Sequence, residues 1–154
     1  MSLTHFEQFA HGVVSVLGVP MPDHFDDGDE PMHGLEFDHH GMPVKLLEAS
    51  DEPDPHVLVF CVFGKLPAEL ELEGLRKLME INLFLGNEGN TVFGRDAETG
   101  EVNFRFEQQL STLRLEGFVD ALDQLAAQAA EWRETFFLDD AAAETPGFSA
   151  FQFA

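Results

Sequence analysis

Two stretches, residues 71–86, ELEGLRKLMEINLFLG, and 90–110, NTVFGRDAETGEVNFRFEQQL, decide the fold. The first reads as a helix over Leu72–Leu85. On a helical wheel Leu72, Leu75, Leu78, Met79, Ile81, Leu83, Phe84 and Leu85 spread well past the stripe of roughly 100° that faces one core. Such a helix calls for burial on two sides, one against its own sheet and one against a second subunit. Leu78, Ile81 and Leu85, with Val92 just beyond, are the residues expected at a two-fold contact. The second stretch reads as a hairpin, Val92–Arg95 and Val102–Gln108, around the turn residues Asp96–Gly100. Val102, Phe104 and Phe106 face one way, and Asn103, Arg105 and Glu107 the other.

Working outward, VLVFCVF over residues 57–63 is apolar on both faces and predicts a central strand. Leu35, Phe37 and His39 alternate with Glu36, Asp38 and His40, the period of a half-buried strand. Gly41 marks a turn, and Val44–Ala49 is the expected hairpin partner. A first helix is predicted from Thr4 to Leu17. Thr4 and Glu7 have capping-box spacing, and Phe6, Phe9, Ala10, Val13, Val14 and Leu17 form one apolar face. A last helix is predicted over Leu115–Phe137, with Phe118, Leu122, Leu125, Ala129 and Trp132 on its stripe and no internal proline. The order α-β-β-β-α-β-β-α implies an α+β fold, a twisted antiparallel sheet packed by helices and paired as a two-fold homodimer. Residues 1–137 make one domain. Residues 138–154 read as a flexible tail that carries Phe148, Phe151 and Phe153 and could fill the protein's own groove.

The chain of 154 residues is 44% hydrophobic yet carries a formal charge of −21. Residues 22–56 hold eleven acids against one base, Lys45, and Asp23–Pro31 is the densest part. That field repels phosphate backbones, so nucleic-acid binding is not expected, and anionic membrane surfaces are disfavoured. No apolar run spans a bilayer, and MSLTHFEQFAHG lacks the basic start of a secretory signal. A cytoplasmic protein is the expectation. Cys61, the single cysteine, is flanked by Phe60 and Val62 and reads as core.

A search for chemistry returns little. His24, His33, His39, His40 and His56 lie in the acidic connector without i, i+4 spacing, and His39 and His40 are expected on opposite strand faces. They read as surface histidines, with no metal and no cofactor. DHFDDGDE fails as a calcium loop, because position three is Phe25 and position twelve is Gly34. There is no phosphate cradle with a Lys-Ser/Thr and no G-x-S-x-G turn. The sequence therefore points to no enzyme.

LRKLMEINLFLG followed by NTVFGRDAETGEVNFRFEQQL resembles the core signature of the Tir chaperone family, the class I chaperones of bacterial type III secretion. The matching positions are Leu75, Leu78, Met79 and Asn82, then Asp96, Thr99 and Gly100, then Val102–Phe106. Phe63-Gly64 with Leu66-Pro67, and Trp132 in the closing helix, match as well. The resemblance implies a bacterial, virulence-related homodimer without enzymatic activity. It would hold the N-terminal segment of a secreted effector extended and export-competent and help deliver it to the secretion ATPase. Phe6, Phe9, Val13, Phe37, Leu46, Leu58 and Phe60 are the residues expected to line the effector groove, with Asp23–Glu30 as an acidic rim that steers the partner. The competing reading is an acidic DNA mimic or another protein-interaction inhibitor.

Overall fold

Alternation in the strand over His56–Lys65 sets the architecture. Val57, Val59, Cys61 and Phe63 are fully buried, while Leu58, Phe60 and Val62, on the other face, are half-buried. The computed structural model describes residues 4–20, 33–50, 54–85 and 91–136. Within these, α1 is His5–Leu17, β1 Gly34–His39, β2 Met42–Ser50, β3 His56–Lys65, α2 Glu71–Leu85, β4 Val92–Arg95, β5 Glu101–Gln109 and α3 Leu115–Thr135. A short 3₁₀ turn, Ala68–Leu70, leads into α2 and was not expected from the sequence.

All strand pairs are antiparallel and the sheet order is β1-β2-β3-β5-β4. The strand that is apolar on both faces is indeed central. Its partners bring Val44 and Leu46 of β2, and Phe104 and Phe106 of β5, onto the same face as Val59 and Cys61. Helices α1 and α3 cover that face. α3 contributes Phe118, Leu122, Leu125, Ala129 and Trp132, and α1 contributes Phe6, Ala10 and Val13 to one continuous core. The capping box forms as predicted: the Glu7 N–H donates to Thr4 Oγ1 at 3.1 Å, and the Thr4 N–H donates to Glu7 Oε2 at 2.7 Å.

Two glycines, Gly64 of the signature and Gly74 just ahead of its Leu75, have physical reasons. Gly64 sits at a register shift between β3 and β5 with φ +133°, a conformation that a side chain rarely adopts. At Gly74 an added Cβ would lie 2.5 Å from Leu66 Cδ2, so a larger residue there would push the Leu66 side chain aside where α2 meets the segment that follows β3.

The two neighbouring histidines depart from expectation. β1 ends at His39, which pairs with Met42, and His40-Gly41 forms a two-residue turn with positive φ at both positions, 51° and 83°. His40 therefore leaves the strand instead of continuing to its opposite face. The rings of His39 and His40 come to lie 4.4 Å apart. Nor is His39 a surface histidine, being only 7% exposed.

Candidate functional site

The two edges of the sheet are built differently. α2 lies along β4, and Asn82, the polar residue of an otherwise apolar helix stretch, reaches the backbone of Phe93. Asn82 Nδ2 donates to the Phe93 carbonyl at 2.9 Å, and the Phe93 N–H donates to Asn82 Oδ1 at 2.8 Å. One amide side chain thus satisfies both outward groups of an edge residue and blocks strand addition there. At the opposite edge no described strand pairs with the outer side of β1. Beside that open edge, half-buried Phe37 lies on the helix-covered face of β1. Half-buried Phe9 of α1 packs edge-on against Phe118, with ring centroids 5.1 Å apart.

The face of the sheet without helices carries a groove of about 450 Å³. Its apolar lining is Leu47, Phe60, Val62 and Val92, interleaved with Lys45, Arg95 and Arg105. One cross-strand row runs Lys45, Phe60, Arg105, Val92 over four strands. Lys45 pairs with Glu36 at 3.3 Å, and Arg95 Nε with Glu71 at 3.1 Å. In a chain with only eight Lys and Arg, placing three in one groove leaves this surface without the acidic excess of the rest. At its rim the Asp96 carboxylate accepts from the N–H groups of Glu98, at 2.8 Å, and Thr99, at 3.2 Å. Those bonds, aided by Lys45 and Arg95, hold its pKa below the ordinary carboxylate value. The D-x-x-T-G signature is thus a turn that fixes β4 against β5.

A third apolar surface lies on the outer side of α2. Leu72, Met79, Leu83 and Phe84 are 62–78% exposed, while Leu78, Ile81 and Leu85 seat the helix on its own core. The inner and outer faces are therefore the reverse of the expectation, which had placed Leu78, Ile81 and Leu85 at a subunit contact. Burial at 0–5% leaves them no surface to offer a partner. Val92, half-buried, lines the groove on the open face.

The seven residues expected to form one effector groove also separate. Phe6, Val13 and Leu46 are fully buried beneath the helices and serve as ordinary core. Phe9 and Phe37 stay partly accessible on the helix side, and Leu58 and Phe60 on the opposite face of the sheet. Sequence periodicity groups residues by face, but it does not say which face a helix covers. The acidic rim, Asp23–Glu30, and the tail from 138 onward lie outside the described residues.

Burial pushes the Cys61 thiol far above the ordinary thiol pKa, which suits a core residue and not a nucleophile. Among the described residues no helix is long and apolar enough to cross a membrane.

Comparison with known proteins places this architecture. No curated protein sequence matches the chain. Among solved structures, a chain of the ExoT–SpcS complex from Pseudomonas aeruginosa is 24% identical, with a TM-score of 0.52; the match covers 82% of this chain and 96% of that one. A chain of the ExsC–ExsE complex is likewise 24% identical, with a TM-score of 0.61, covering 87% of this chain and 96% of that one. These likenesses show a shared fold. The profile of the Tir chaperone protein (CesT) family matches residues 23–133, the segment that holds the whole sheet, α2 and most of α3. The chain belongs to the Tir chaperone protein (CesT) family.

Proposed function

We propose that this protein is a type III secretion chaperone that works as a cytoplasmic homodimer, without enzymatic activity. It holds the N-terminal segment of a secreted effector extended and export-competent, and it presents that cargo to the secretion ATPase. Family membership supports the general role, and the two structural relatives come from complexes of paired proteins.

The observation that carries the binding mode is the asymmetry of the sheet edges. Asn82 closes β4, while no described strand pairs with the outer side of β1, the strand that carries half-buried Phe37. An extended segment can add to such an edge through main-chain hydrogen bonds, with flanking apolar side chains selecting its residues. The dimer contact falls to the outer side of α2, through Leu72, Met79, Leu83 and Phe84, with Val92 near its border.

Co-expression with a candidate effector N-terminal segment tests this reading. Phe37→Asp should abolish co-purification, while Leu58→Asp, on the opposite face, should leave it intact. Equal capture by wild type and Phe37→Asp would refute binding at the β1 edge.

A further inference from the structure

We propose that His39, His40 and Asp123 form a binding site for a zinc-class divalent transition-metal ion. The three donors come from the end of β1, the turn that follows it and the first half of α3. His39 Nε2 lies 2.7 Å from Asp123 Oδ1, and His40 Nε2 lies 3.5 Å from the same oxygen. One ligand atom from each residue falls within a cluster no wider than 4.8 Å. Among the described residues this is the one such gathering of three donors.

With metal–ligand bonds of about 2.0–2.1 Å, tetrahedral ligand atoms stand roughly 3.4 Å apart. The His40–Asp123 spacing already matches. The His39–Asp123 spacing must open by roughly 0.7 Å to reach that tetrahedral separation, and the half-exposed Asp123 carboxylate has room to turn. His39 is nearly buried and supplies a fixed ligand, while the exposed His40 closes over the ion. Two imidazoles and one carboxylate select zinc, copper or nickel over magnesium and calcium, which take oxygen ligands. The fourth position stays open to solvent beside His40. The net charge of −21 raises the local concentration of any cation. A bound ion would tie the β1–β2 turn to α3, reinforcing the contacts that His39 and His40 already make with Asp123.

Titration of the full chain with zinc chloride, read by calorimetry and by thermal unfolding, tests the site. Wild type should bind about one equivalent per chain and unfold at higher temperature with zinc, but not with magnesium chloride. His40→Ala leaves the His39–Asp123 bond in place, and Asp123→Ala removes an exposed helix residue, so both should fold. Each should weaken zinc binding by about tenfold or more, on the scale seen when metal-site groups are removed. His33→Ala breaks a separate His–carboxylate pair, His33–Glu48 at 3.3 Å, and should bind as wild type does. Absence of zinc binding by wild type would overturn the proposal, and so would wild-type affinity in both His40→Ala and Asp123→Ala.

Discussion

Replacing Phe84 by Asp should split the proposed dimer without unfolding the subunit. Full burial of a Leu, Met or Phe side chain is worth roughly 1.5–3 kcal/mol. Leu72, Met79, Leu83 and Phe84 are 62–78% exposed, so each still has about 1–2 kcal/mol to gain. A two-fold contact uses every residue twice, which gives about 8–16 kcal/mol when all four are covered on both subunits. Association itself costs about 4–15 kcal/mol. The balance favours a dimer only when most of the four take part, so losing one should be plainly visible. Removing the Phe84 contribution from both subunits costs about 2–4 kcal/mol, a rise of about 30- to 700-fold in the dissociation constant. Asp adds the desolvation of two carboxylates. Sedimentation equilibrium over a concentration series reads the change directly, and circular dichroism checks that the subunit stays folded. An unchanged dissociation constant for Phe84→Asp, or a wild type that is monomeric throughout, would refute the reasoning.

Ile81, on the inner face of the same helix, should behave in the opposite way. Ile81→Ala is expected to cost about 2–5 kcal/mol of subunit stability, read by urea unfolding, and a mere change of oligomeric state would count against its place in the core. Asn82→Ala removes the amide that bonds both the Phe93 N–H and its carbonyl, at about 1–3 kcal/mol, and should promote aggregation through the β4 edge. Cys61 should resist thiol reagents in the native state and react fully in denaturant; rapid native labelling would show that the strand is less buried than described. Asp96 has a depressed pKa, so its contribution to stability is present above the ordinary carboxylate pKa of about 3.9 and fades as pH falls through the folded value. Asp96→Ala should therefore unfold more easily than wild type at neutral pH, with the two converging in strong acid.

Most of the fold was legible because its signals are local. Thr4 and Glu7 announce their capping box by spacing, and the run from Val57 to Phe63 can only be a strand covered on both faces or central. Val102, Phe104 and Phe106 alternate in a way that no helix would. The surfaces were less legible. Leu78 and Phe84 are equally apolar letters on one helix, and only the packing of α2 along β4 decides which of them turns inward. The same ambiguity assigned Phe6 and Leu46 to a binding groove, whereas both are fully buried core. Asn82 stood out as a polar residue in an apolar run, yet its partner is eleven residues away and on a strand edge, which no periodicity reveals. His40 was misplaced although its signal was present: a residue directly before Gly41, between two strands, fits a two-residue hairpin turn. Asp123 is a plain helical acid until the fold brings it to His39, 84 positions earlier.

The most direct test of the central claim is amide hydrogen exchange of the protein, alone and in complex with an effector N-terminal segment. If the cargo adds as a strand to the outer edge of β1, the amides of Gly34–His39 should slow markedly on binding, while β4 stays as it was. A stable complex that leaves residues 34–39 exchanging at their free rates would contradict the account.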